Sequence, residues 1–109
     1  MTESEFNELA DAIFMRIEQT IDAGGTDIEC NLNGPVLELE FEDGSMIIIN
    51  RHSPTREIWL AAKSGGFHYA LQDEVWLSKR DGSELFGKLK ELVQLGSGDM
   101  LDFTPESEM

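Results

Sequence analysis

The sequence predicts an α+β fold, a two-layer sandwich in which an N-terminal and a C-terminal helix pack on one face of a six-stranded antiparallel sheet. Apolar residues recur at helical spacing near both ends of the chain, and six strand-like runs lie between them. The connections between successive runs are short, which makes neighbouring strands antiparallel. Two helices on one face leave the other face of the sheet open to solvent.

The first helix is predicted over residues 3–23. Thr2 and, three residues later, Glu5 match a capping box, and Gly24-Gly25 ends the helix. At about 100° per residue, one apolar stripe is formed by Phe6, Leu9, Ala10, Ile13, Ile17 and Ile21.

The strands are predicted at residues 26–33, 36–42, 46–51, 56–62, 66–72 and 74–79. In the fourth strand, side-chain alternation turns Trp59 away from the core. The opposite face of that strand carries Arg56, Ile58, Leu60 and Ala62.

The Asp43-Gly44 pair predicts a hairpin, but the residues alone leave its loop length open. A two-residue loop would turn Ile47, Ile49 and Arg51 outward. A three-residue loop, 43–45, reverses the two faces and would turn outward Met46, Ile48 and Asn50.

The second helix is predicted from about Ser83 to Leu95, with Gly96 just beyond its end. Its apolar face is formed by Leu85, Phe86, Leu89, Leu92 and Val93. The polar tail after about residue 98 is expected to fray toward its end. We expect a single domain over residues 1–109.

The composition, 40% hydrophobic and 28% charged, is typical of a globular protein. No apolar run approaches the roughly 18 residues of a membrane helix, and the acidic N-terminus lacks the pattern of a secretory signal. A single cysteine, Cys30, cannot form an internal disulfide. We therefore expect a cytoplasmic protein, or a mature form that has already been processed.

The net charge of −14 is concentrated in the first part of the chain. Residues 1–44 contain twelve acidic residues and one base, a net charge of −11, and residues 45–109 contain ten acids and seven bases, a net charge of −3. Like charges repel nucleic acid and anionic membranes. The preferred partners are cations or a basic protein.

Carboxylates line one side of the first helix. Glu8, Asp11, Glu18 and Asp22 fall within an arc of about 80° beside the apolar stripe, with no lysine among them. Glu3 and Glu5 extend the row, and the first strand can add Asp27 and Glu29. We call these eight carboxylates the acidic edge.

Carboxylate oxygens bind hard cations such as iron(II), iron(III), manganese, calcium and magnesium. Because neither histidine is near the acidic edge in sequence, any metal site there is expected to be open, weak and poorly selective, with water completing the coordination. The alternative is a solvated helix face that binds no metal.

We do not expect an enzyme in its own right. The chain has no HExxH, CxxC, calcium-loop or phosphate-loop motif, and a di-iron ferroxidase would need a Glu-x-x-His pair that is absent. Cys30 with His52 or His68 is a conceivable nucleophile pair. A cysteine in a strand is far more often a small buried hydrophobe.

The solvent-facing side of the sheet is a candidate binding surface. Trp59 carries roughly 150–250 Å² of mostly apolar surface, and burying it in a partner would contribute about 4–6 kcal/mol. The alternative is that Trp59 lies flat on its own sheet. His68 joins this face if Phe67 and Tyr69 point to the core, and its alternative is a surface histidine without a role.

The stretch VLELEFEDGSMIIINRHSPTREIWLAAKSGGFHY strongly resembles the frataxin family in its bacterial form. Its most specific parts are IINR before a proline, then WLA, then GGFHY. SEFNELAD, DIEC and DEVWL extend the resemblance over nearly the whole chain, except for the tail after about Gly98.

The resemblance implies an α–β sandwich with a weak iron site and a role in iron–sulfur cluster assembly. It implies binding to a cysteine desulfurase and its scaffold protein, as a regulator of sulfur delivery and as an iron donor. The eight carboxylates of the acidic edge correspond to the iron site, where other hard divalent cations would substitute. The implied partner patch is Asn50, Glu57, Trp59 and His68.

The resemblance also favours the three-residue hairpin loop and makes Trp76 the buried tryptophan. We expect a monomer, with metal-induced oligomers as a second state. A rival hypothesis is an acidic module that binds a basic partner without metal.

Overall fold

The computed structural model describes residues 1–104 and confirms the predicted sandwich. The two helices are α1 (Glu3–Gly24) and α2 (Leu85–Ser97). The strands are β1 (Glu29–Asn33), β2 (Val36–Glu40), β3 (Met46–His52), β4 (Glu57–Ala62), β5 (Gly65–Gln72) and β6 (Val75–Ser78), which form one antiparallel sheet in chain order. No helix of the described residues is long and apolar enough to cross a membrane.

The hydrophobic core lies between the helices and one face of the sheet. The predicted capping box at Thr2 and Glu5 is present, and Gly25 ends α1 with a φ of 62°. The stripe prediction was wrong for Leu9, which is 40% exposed, and missed Phe14, which is 1% exposed. The buried face is rotated toward Phe14, so that Leu9 falls outside its border.

The β2–β3 hairpin has the predicted faces but not the predicted loop. Ile47 and Ile49 are buried, and Met46, Ile48 and Asn50 point to the opposite face. The loop is Glu42–Asp43–Gly44 and not residues 43–45, because Phe41 N donates to Ser45 O at 2.9 Å. A shift of the pairing by two residues leaves each side chain on its face.

Three strands begin later than predicted, among them β6, which starts at Val75 and not at residue 74. β1 starts at Glu29 and not at residue 26, and β4 starts at Glu57 and not at Arg56. Arg56 has a φ of 57°, a left-handed conformation that follows the short 3-10 helix Ser53–Thr55. The turn places Thr55 beside the first residue of β4.

The second helix extends past its predicted end. Gly98, with a φ of 80°, is the C-cap, so the prediction that Gly96 follows the helix was wrong. Gly96 lies inside α2, where a Cβ atom would stand only 2.6 Å from Cε2 of Phe41. Glycine is needed there for close packing and not for its backbone freedom.

The described part of the tail contacts the core. Phe103 is fully buried, and the Arg16 guanidinium of α1 donates to the carbonyl oxygens of Phe103 and Thr104. The expected fraying concerns the end of the tail, residues 105–109, which lie outside the described residues.

Candidate functional site

The acidic edge follows α1 along its solvent side. Glu3, Glu5, Glu8, Asp11 and Asp22 are exposed, and Glu18 is half-buried. An α-helix carrying like charges at i and i+4, as at Glu18 and Asp22, loses some tenths of a kcal/mol to repulsion. No lysine lies in this row, so its negative charges are not offset within the row.

The C-terminal half of this edge lies against β1. Burial raises the pKa of the Cys30 thiol, and the negative charges of Glu18 and Asp22 raise it further, to about 11. Cys30 sits on the helix-facing side of β1 and packs against the core. Glu18 and Asp22 therefore lie close enough to β1 for their charges to act on this thiol.

Two carboxylates of the edge already have partners. Asp11 forms an ion pair with Arg51 of β3, and its side chain stays 66% exposed. Glu5 accepts a hydrogen bond from the backbone N–H of Thr2 at 2.9 Å, and the pKa of Glu5 is lowered by that bond. Both remain exposed to solvent.

The two carboxylates predicted from the first strand do not both lie in that strand. Asp27 precedes β1, and Glu29 pairs with Glu40 of β2 on the outer face of the sheet. Among residues 1–104, no three histidine, cysteine, aspartate or glutamate side chains converge in a group that could hold a metal ion. The edge is thus an open row of carboxylates and not a preformed chelate.

The outer sheet face presents a row of side chains across three adjacent strands. Asn50 of β3 pairs with Trp59 of β4, and Trp59 pairs with His68 of β5. Phe67 and Tyr69 are buried, which places His68 on the outer face as the alternation argument expected. Asn50, Trp59 and His68 of the predicted partner patch are therefore neighbours.

Trp59 is stacked between two imidazole rings. The His52 ring lies 3.8 Å from Trp59, centroid to centroid, at an interplanar angle of 11°. The His68 ring lies 4.2 Å away at 8° on the other side. We call these three side chains the ring stack.

The ring stack leaves Trp59 half-buried. The two imidazoles cover both faces of the indole, so a partner could meet only its edge. The sequence left two alternatives, an exposed Trp59 and a Trp59 covered by its own sheet. Each is partly correct, because the faces of the indole are covered and its edge is not.

The Glu57 carboxylate lies at the edge of this stack, beside the indole N–H of Trp59. Glu57 is 4% exposed, although the sequence placed it in the exposed patch, so that prediction was wrong. Its Oε1 accepts hydrogen bonds from Trp59 Nε1 at 2.9 Å and from the Thr55 hydroxyl at 3.0 Å. Its Oε2 lies 2.6 Å from Lys79 Nζ.

These contacts keep Glu57 ionised. Burial alone raises the pKa of Glu57, but the hydrogen bonds from Lys79, Trp59 and Thr55 and the positive charge of Lys79 outweigh burial and lower the pKa to about 2. Because both oxygens of this buried carboxylate have charged or polar donors, the position of its side chain is fixed.

The outer face around the ring stack is acidic and apolar. Glu38 of β2 faces Ile48 of β3, and Glu40 faces Met46. Ile48 is 36% exposed. The face thus offers carboxylates beside a modest apolar surface, which suits a basic partner with apolar residues.

Sequence reasoning missed three residues of this network. His52 lies two residues after Asn50 on the same strand, so alternation could have placed it on the same face. Thr55 and Lys79 carried no such signal, because the Ser53–Thr55 turn and the β5–β6 pairing bring them to Glu57.

The conceivable nucleophile pair of Cys30 with a histidine is ruled out by the sheet. Cys30 packs against the core on the helix side of β1. His52 of β3 and His68 of β5 belong to the ring stack on the opposite, outer face, separated from β1 by one strand and by three strands.

Comparison with known proteins agrees with this architecture. Residues 1–98 match the model of the frataxin-like domain. The chain is 46% identical over 102 residues to the iron-sulfur cluster assembly protein CyaY of Neisseria meningitidis serogroup B, covering 94% of this chain and 95% of that protein. It is 50% identical over 103 residues to CyaY of Chromobacterium violaceum, covering 94% and 98%.

Solved structures show the same fold. Frataxin from Psychromonas ingrahamii superposes with a TM-score of 0.91 at 37% identity, covering 96% of this chain and all of that one. Trimeric yeast frataxin, from Saccharomyces cerevisiae and complexed with ferrous iron, superposes with a TM-score of 0.69 at 26% identity, covering 87% of each chain. The chain belongs to the frataxin family.

Proposed function

We propose that this protein binds iron weakly and acts in iron–sulfur cluster assembly as a regulator of cysteine desulfurase and as an iron donor. The observation that carries the proposal is the single-sign carboxylate row of α1 in a chain of the frataxin family. The relatives named above are bacterial iron-sulfur cluster assembly proteins, and we place this chain in the bacterial cytoplasm.

Iron would be carried as cargo on the acidic edge. Since no three potential ligands of residues 1–104 converge, each ion would be held by one or two carboxylates with water in the remaining positions. Such a site binds and releases iron readily, and manganese or other hard divalent cations would compete for it. The pair Glu18 and Asp22, one turn apart, is the best-placed starting point.

The desulfurase and its scaffold protein would bind through both surfaces. The acidic edge would speed the encounter with a basic partner surface by electrostatic attraction. The outer sheet face, with Trp59 at its centre, would supply the apolar anchor. The protein itself would not catalyse a reaction, and we expect it to be monomeric until metal drives assembly.

Cysteine desulfurase activity, measured with and without the protein at several iron(II) concentrations, tests the proposal. We expect the protein to change the rate of sulfide release, with an effect that grows with iron. A rate that does not respond to the protein at any iron level would contradict the proposal.

The metal-independent binding module is the second candidate, favoured by the lack of a ligand cluster within the described residues. The double variant Glu18→Lys/Asp22→Lys separates the two candidates when desulfurase binding is measured in chelator. The second candidate is favoured if the wild-type chain binds desulfurase equally well with and without metal, and if the charge-reversed variant loses that binding.

A further inference from the structure

The hydrogen bonds of the Glu57 network have a fixed direction. An ionised carboxylate only accepts hydrogen bonds, so the Thr55 hydroxyl donates its proton to Glu57 Oε1, 3.0 Å away. The other acceptor within reach of that hydroxyl is the His52 carbonyl oxygen at 3.5 Å, which is at the limit of a hydrogen bond. The shorter bond to a charged group is the stronger one.

The direction of the Thr55 bond determines the protonation of His52. His52 Nδ1 lies 2.8 Å from the Thr55 oxygen, whose only proton is already donated to Glu57. That oxygen must therefore accept, and Nδ1 of His52 must carry the proton. In the neutral imidazole, Nε2 is then the unprotonated nitrogen.

The free nitrogen of His52 reaches solvent. Within residues 1–104, Nε of Arg56 is the only buried side-chain nitrogen or oxygen without a hydrogen-bond partner. His52 is half-buried, and the hydrogen bond of its ring within these residues is made by Nδ1 and not by Nε2. Since Nε2 has no partner there and is not among the buried atoms without one, it is accessible on the face where His52 stacks against Trp59.

We propose that Glu57 and Thr55 are positioning residues that hold His52 with its proton on Nδ1, so that Nε2 accepts a hydrogen bond from a lysine or arginine of the partner. Glu57 also holds the indole of Trp59 through Nε1, which fixes the ring against which His52 is stacked. The partner, which rests on the proposed function, would thus be recognised by an apolar edge and an adjacent acceptor. A basic donor also fits the nearby carboxylates of Glu38 and Glu40.

The protonation of His52 can be tested without a partner. Long-range proton–nitrogen NMR of the full chain at about pH 8, where imidazole is neutral, distinguishes the two tautomers. We expect the Nδ1–H form in the wild type and in Thr55→Ser, and loss of that preference in Thr55→Val. An Nε2–H form in the wild type, or a tautomer that Thr55→Val leaves unchanged, would overturn the positioning role.

Recognition is tested by desulfurase binding in chelator. Removing one acceptor is expected to weaken binding roughly three- to tenfold in Thr55→Val, and Thr55→Ser should bind like the wild type. Amide spectra check that both variants fold, and Thr55→Ala serves if valine disturbs the turn. A changed tautomer with unchanged affinity would overturn the recognition role.

The NMR experiment and the binding experiment together also distinguish a failure of this inference from a failure of the proposed function. If the wild-type chain does not bind desulfurase, the proposed function fails, and the NMR arm alone decides whether Thr55 and Glu57 position His52.

Discussion

The acidic edge along α1 and the outer sheet face are two polar surfaces that are built in opposite ways. Most carboxylates of the edge are exposed, and their geometry is left to solvent. On the outer face, one buried carboxylate, Glu57, contacts three side chains, one of which is the central ring of a stack of three.

The difference separates two kinds of binding. A row of solvated carboxylates suits small, mobile cations that keep much of their water, because nothing needs to be rigid. A fixed ring stack suits a shaped protein surface, because side chains ordered in advance reduce the entropy cost of association. The two surfaces can therefore serve different ligands on one small domain.

Among the predictions, replacing Trp59 on the outer sheet face is expected to have the largest effect. We expect Trp59→Ala to weaken desulfurase binding about thirtyfold, or about 2 kcal/mol, a typical hot-spot loss. The loss is smaller than for a fully exposed tryptophan because His52 and His68 already cover both faces of the indole. Isothermal titration calorimetry measures the change. Leu95→Ala, at an exposed site on α2 away from the outer sheet face, is the control and should bind normally.

The buried carboxylate should make stability depend on pH. The pKa of Glu57 is about 2 in the folded chain against an ordinary value of 4.5, so its stabilisation is complete above about pH 4.5 and is lost as the pH falls toward 2. We expect Glu57→Gln to be less stable than the wild type by about 1–2 kcal/mol at pH 7. Near pH 2 the difference should disappear.

Urea denaturation at several pH values measures that difference. Glu42→Gln, in the exposed β2–β3 loop, is the matched control and should follow the wild type. A Glu57→Gln curve parallel to the wild-type curve at every pH would show that the network does not hold an ionised carboxylate.

The ion pair between Asp11 and Arg51 should contribute much less to the free energy of unfolding than the Glu57 network does. Asp11 is 66% exposed where it pairs with Arg51, so Asp11→Asn is expected to cost about 0.5 kcal/mol or less, and less still in high salt. Thermal unfolding at low and high salt measures the cost. A loss above about 2 kcal/mol would mean that the edge is organised as tightly as the outer face.

The smallest effect is expected where the edge meets β1. Neutralising both acids in Glu18→Gln/Asp22→Asn should raise stability by a few tenths of a kcal/mol, because like charges one turn apart repel. It should also lower the pKa of Cys30 below about 11, although burial, the larger cause, keeps it above the ordinary value. The pH dependence of thiol alkylation reports the shift, with Glu8→Gln as the control on the same edge.

The layers, the carboxylate row of α1 and the face of Trp59 were predictable because each depends on local periodicity. The helical repeat located the stripe of α1, with an error only at its border, at Leu9 and Phe14. Alternation placed Trp59 and His68 together on the outer face, as the strand pairing shows.

The burial of Glu57 was not predictable from the same patterns. Its position in β4 points outward, and alternation alone reads an outward glutamate as exposed. Burial results from Lys79, which follows β6, and from Thr55 in the turn before β4, two residues that reach Glu57 only in the folded sheet. The β2–β3 hairpin loop is a similar case. An odd number of loop residues was enough to predict which side chains face the core, but the position of the loop depends on backbone hydrogen bonds that are visible only in the structure.

The proposed binding of iron(II) to the acidic edge, and not to the outer sheet face, is tested most directly by amide NMR during an anaerobic titration with iron(II). We predict that line broadening and shifts concentrate on residues 3–29, strongest around Glu18 and Asp22, while the indole N–H of Trp59 stays unchanged. Signals that move first at Trp59 and His68, or no change in residues 3–29, would contradict the account.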